Sequence, residues 1–122
     1  MSYPNSSSVK TYNQVADHVS VAVGAALTLL VAAFQLISYD SCFYEFTNND
    51  GSQSLNVQIE GSAAATGPWN VLDAVTFNAI GAGATVNSQY SATGFRYIRV
   101  RGIASGAGLN ATVTVRQGGD GA

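Results

Sequence analysis

Leu55, Val57 and Ile59 alternate with Asn56, Gln58 and Glu60, and only an extended strand sorts that spacing into one dry face and one wet face. A helix would scatter the same residues around its axis. The alternation recurs along the chain. Val19, Val21 and Val23 alternate with small or polar residues, and Leu27, Leu29 and Val31 resume the period after Gly24-Ala25-Ala26. Cys42, Tyr44 and Phe46 follow, then Ile98 with Val100, then Ala111, Val113 and Val115. Trp69, Val71 and Leu72 start another strand, expected to run on towards Val75 and Phe77, and Thr85, Val86 and Tyr90 a short one. Between these runs lie residues that reverse a chain: Asn48-Asn49-Asp50-Gly51, Gly67-Pro68, Gly81 with Gly83, Gly94, and Gly106 with Gly108. About seven to nine short antiparallel strands with such turns predict an all-β fold, a single-domain β-sandwich or jelly roll.

Residues 19–34 also fit a helical period, and the run 19–39 carries no charge and is long enough to cross a bilayer. Ser20, Gly24, Thr28, Gln35 and Ser38 dilute its hydrophobicity, basic flanks are missing, and β-branched residues alternate at its start. Two buried strands are therefore expected, with no membrane or signal role. Pattern alone leaves open whether 19–34 is core or an intersubunit face. The 122 residues suit one domain. Residues 1–13, polar and serine-rich, are expected as an arm, 14–117 as the sandwich, and 118–122 as a flexible tail.

Charge is scarce. Asp, Glu, Lys and Arg supply 10% of the chain, against about 25% in an ordinary soluble domain. Ala, Gly, Ser, Thr and Asn take their place, so the surface is poorly defended against association and suits a subunit packed on neighbours. Arg96, Arg99, Arg101 and Arg116 crowd the last quarter, and the formal net charge is −2. Nucleic acid is not the expected partner of such a balance.

Catalytic chemistry is hard to assemble from this inventory. His18 is the sole histidine and has no Cys, Asp or Glu at metal-ligand spacing. No nucleophile elbow surrounds any serine. Gly81-Ala82-Gly83-Ala84-Thr85-Val86 lacks both the third glycine of a dinucleotide loop and the lysine of a nucleotide loop. Glu45 and Glu60 on facing strands would suit a pair of general acids, although solvated pairing with Arg99 and Arg101 is the simpler reading. Cys42, among Phe43, Tyr44 and Phe46, reads as a buried thiol. No enzyme activity, metal or cofactor is expected.

One stretch has the composition of a docking surface. Tyr97, Arg99 and Arg101 share a strand face opposite Ile98 and Val100, and tyrosine and arginine are residues that interfaces favour. A solvent face with salt bridges of little energetic weight fits the same strand equally well; read as a docking stripe, it forms the candidate interface with Tyr3, Pro4, Val9, Lys10 and Tyr12 of the arm.

Ile59-Glu60-Gly61-Ser62, Gly67-Pro68-Trp69 with Leu72, Gly94-Phe95-Arg96-Tyr97-Ile98-Arg99-Val100 and Ala111-Thr112-Val113-Thr114-Val115 together resemble a pattern common in small bacteriophage virion proteins. The layout is similar to head decoration (cement) proteins and related tail or baseplate modules, over roughly the last two-thirds of the chain. The resemblance implies a jelly-roll sandwich, a homotrimer seated on the major capsid protein at the phage head surface, synthesis in the host cytoplasm, and an arm that straps onto neighbours. The tryptophan after a Gly-Ser loop and the aromatic-arginine strand also resemble discoidin-like carbohydrate-binding sandwiches. That alternative implies a glycan groove lined by exposed aromatics such as Trp69 or Tyr90.

Overall fold

The computed structural model describes residues 10–36, 41–90 and 95–120. Eight strands form among them: β1 (Lys10–Val23), β2 (Thr28–Gln35), β3 (Ser41–Asn48), β4 (Leu55–Ser62), β5 (Asn70–Asp73), β6 (Thr85–Tyr90), β7 (Tyr97–Ala104) and β8 (Leu109–Asp120). They build two four-stranded sheets, ordered β1-β8-β3-β6 and β2-β7-β4-β5. All pairing is antiparallel, and β1 lies against β8, β2 against β7, β3 against β6 and β4 against β5. That is one long hairpin, its first half running against its second, rolled until β8 meets β3 and β7 meets β4. The expected all-β sandwich is thus a jelly roll.

The alternation read in the sequence becomes the burial pattern. Along β3, Cys42, Tyr44 and Phe46 point into the core and Phe43 and Glu45 out. Along β7, Ile98 and Val100 point in and Arg99 and Arg101 out. Tyr44, Phe46 and Phe77 form the aromatic centre, with the Phe46 and Phe77 rings edge to face at 4.8 Å. Cys42 is fully buried there, and burial pushes its thiol pKa up.

Phe77 reaches the core from a loop and not, as expected, from a strand. β5 stops at Asp73 because its carboxylate accepts the Val75 and Thr76 backbone N–H groups, folding the chain into a turn. Val75 is left 85% exposed. The loop then closes one end of the sandwich: Leu55 and Ile80 exchange backbone hydrogen bonds, and Val57 donates to the Phe77 carbonyl. Buried Asn48 ties the neighbouring turn to this plug, donating to the Gln53 and Ile80 carbonyls and accepting from Asp50.

The uncharged stretch is divided between two strands. Val23, Leu30 and Val31 join the core, while Val19, Leu27 and Leu29 remain exposed, so the expected two strands form but are buried only in part. The limits of the roll also move. Lys10 pairs with Asp120 and Asn13 with Gln117, so β1 begins inside the stretch expected as an arm and β8 ends inside the expected tail. Backbone pairing across the sheet satisfies groups that a free arm would leave to water.

Candidate functional site

β4 and β7 lie side by side in a register that sets Glu60 opposite Arg99 and Gln58 opposite Arg101, all pointing away from the core. Glu60 is nonetheless only 1% exposed. Arg99 Nε donates to its Oε1 at 2.6 Å, Arg101 Nε donates to its Oε2 at 2.8 Å, and Gln58 donates to Oε2 as well. Trp69, set just before β5 by the Gly67-Pro68 turn, lies under the Arg99 guanidinium at 4.4 Å. Burial opposes ionisation of Glu60, but the hydrogen bonds from Gln58, Arg99 and Arg101, with the Arg101 charge, prevail and hold the carboxyl below its ordinary value. Two guanidinium groups on one carboxylate leave the cluster with a net positive charge.

Apolar residues flank it. Leu29, opposite Arg101 on β2, is 49% exposed, and Val71, opposite Glu60 on β5, is 54% exposed. The outer face of this sheet is therefore a band of aliphatic, aromatic and arginine side chains held in place by a buried acid. Tyr97 lies at its end, half-buried and opposite Ser62.

Tyr97, Arg99 and Arg101 lie on the outer face of β7. Tyr3, Pro4 and Val9 lie outside the described residues, and Lys10 and Tyr12 are placed only by backbone pairing with Asp120 and Gly118. Glu45 and Glu60 do not meet. Their strands belong to different sheets, so their outward side chains leave opposite sides of the sandwich. The pairing with Arg99 and Arg101 is real, but the carboxylate, expected to be solvated, is buried, while the two arginines stay partly exposed.

His18 sits in a bulge of β1, its Nδ1 2.6 Å from Asp17 Oδ1, and its backbone N–H donates to Thr114 Oγ1. No group of three His, Cys, Asp or Glu side chains that could hold a metal occurs among the described residues. Trp69 is half-buried with one ring face taken by Arg99, so that face is closed to a sugar. A row of side chains that the sequence did not reveal crosses the other sheet. Gln14, Arg116, Phe43 and Gln89, with Asp17, line a groove of about 390 Å³.

No family model matches the chain, and no curated protein matches it. Solved structures do. A chain from the Bacillus endospore appendages, a family of disulfide-linked pili, is 14% identical with a TM-score of 0.61, over 98% of this chain and 96% of that one. PBSX exported protein XepA is 16% identical with a TM-score of 0.62, over 99% of this chain and 40% of its own. The VP2 subviral particle of infectious bursal disease virus is 13% identical with a TM-score of 0.56, over 93% of this chain and 33% of its own. At such identities the likeness is one of fold.

Proposed function

We propose that this chain is a non-enzymatic structural subunit, a virion decoration (cement) module that forms homotrimers and seats on the major capsid protein of a phage head. One observation carries the reading: the outer face of the β2-β7-β4-β5 sheet, where Leu29 and Val71 flank a fixed Arg99-Glu60-Arg101 cluster and Trp69. A solvated face of a free monomer is usually dressed in mixed, mobile charges. Preorganised arginine and tryptophan beside aliphatics are what the centre of a protein interface uses, since little side-chain entropy remains to be lost on docking. The low charge content supports the same reading. So do the neighbours in fold, whose names place them in pili and a viral particle.

Light scattering on the full chain tests the assembly, and sedimentation with phage heads tests the docking. The expected mass is that of a trimer of the 12.6 kDa chain, falling to the protomer in Arg101→Glu and Leu29→Lys, with head binding lost in both. A monomer at every concentration that also fails to bind heads overturns the proposal. So does wild-type assembly and binding by both variants.

A further inference from the structure

Gln14 stands opposite Arg116, Arg116 opposite Phe43, and Phe43 opposite Gln89, so one transverse row crosses all four strands of the β1-β8-β3-β6 sheet on its outer face. With strands about 4.8 Å apart the row is about 14 Å long. A bulge supplies one more group. The register passes from Ala16 opposite Val115 to Val19 opposite Val113, so Asp17 and His18 share the single partner Thr114. Bulges re-aim side chains, and this one brings Asp17 into the lining of the groove. His18 holds the bulge in a left-handed conformation, φ 52°, that side-chain-bearing residues avoid. Backbone strain of this kind gathers at ligand sites.

The lining is fixed by its own contacts. Arg116 lies over the Phe43 ring at 5.2 Å and donates from Nε to Gln14 Oε1 at 3.2 Å. Gln14 donates to the Ala16 carbonyl, Gln89 to Ser41 Oγ, and His18 engages one Asp17 oxygen. Unused among the described residues are the terminal nitrogens of Arg116, the second Asp17 oxygen and the Gln89 carbonyl oxygen. Donors and acceptors therefore interleave along the row, and the charges of Arg116 and Asp17 cancel. With one charge of each sign in the lining, no net field favours an anion or a cation. A hydroxyl both donates and accepts, so a molecule dense in hydroxyls uses both kinds of group at once. From this geometry we propose that the groove binds a short neutral oligosaccharide laid across the strands, its ring hydroxyls on Asp17, Arg116 and Gln89. The site lies on the sheet opposite the docking face and stands independently of the assembly proposal.

An NMR titration of the full chain with maltotriose, cellotriose, mannotriose and N,N′,N″-triacetylchitotriose tests it, with trigalacturonate as the charged comparison. At least one neutral sugar is expected to give saturable shifts at Phe43, Gln89 and Arg116, with a Kd of about 1 mM or tighter. Asp17→Asn and Gln89→Ala, which leave the Arg116–Phe43 stack intact, should weaken it at least ~10-fold, a difference of about 1.4 kcal/mol. Asn78→Ala, on the remote loop after β5, should leave it unchanged. The proposal is overturned if no neutral sugar gives saturable shifts, if trigalacturonate binds more tightly, or if Asp17→Asn and Gln89→Ala bind as the wild type does.

Discussion

Glu60 shows how one side chain converts a strand register into a surface property. Its carboxylate is buried, yet each oxygen carries an arginine Nε, so the desolvation that would neutralise a lone acid is offset by charged hydrogen bonds. Glu60→Gln keeps the shape and removes the charge. It is expected to cost about 2–3 kcal/mol, the worth of the charged hydrogen bonds that a buried carboxylate makes to partly exposed arginines. Urea unfolding should show this as a lower midpoint at unchanged slope. The same substitution gives a pH prediction. A carboxyl held low in the folded chain contributes stability fully above the unfolded value of about 4.3, and loses that contribution as pH falls through the depressed folded value. The stability gap between wild type and Glu60→Gln should therefore be constant near neutrality and close in acid. A gap that widens below pH ~4 would contradict the sign of that shift.

At the scale of the elements, the close approach of β7 to its neighbours has its own requirement. Gly102 is buried opposite Thr28 and Val57, and a Cβ there would meet Leu30 Cδ1 at 2.8 Å and the Asn56 carbonyl oxygen at 3.3 Å. Gly102→Ala should cost about 1–3 kcal/mol through overpacking. Leu30→Ala in the same chain should recover part of that loss, read as a coupling energy in a double-mutant cycle. β3, β4, β7 and β8 were legible in the sequence because each has one dry face, which imposes a period of two. The start of β5 at Val71 and Leu72 was legible too, but its end was not, because Asp73 captures the backbone that would have continued the strand towards Val75 and Phe77. Glu45 and Glu60 were misplaced for a different reason. Sheet membership is set by pairing between distant segments, and alternation on one strand carries no record of its partner. The arginine face was legible as composition, while the burial of Glu60 beneath it was not, since it follows from the register of β4 against β7. The Gln14–Arg116–Phe43–Gln89 row needs four registers to coincide, with bulges in β1 as well, and nothing local to those residues announces it.

Closure of the whole roll depends on the pair most distant in sequence, β1 with β8, which joins Lys10 to Asp120. Pairings of that span are late and costly to make, since the entropy of a long loop is lost before contacts compensate for it. This separates two truncations that the sequence alone treats as one. Removal of residues 1–9 takes away no described pairing, so the melting temperature should stay within about 1 °C of the full chain. Removal of residues 1–13 strips the partners of Gln117–Asp120, while β3 still holds Gly118 and Gln117 through Ser41 and Cys42. A partial loss of about 4–8 °C is expected, equivalent to about 1–2 kcal/mol in a domain of this size. The shorter truncation isolates the proposed strap, because it removes Tyr3, Pro4 and Val9 from a chain whose sandwich is whole. Heads should bind it at least ~10-fold more weakly than the full chain, about 1.4 kcal/mol. Equal binding by the 1–9 truncation would confine docking to the sandwich itself, with the Leu29–Arg101 face as its place.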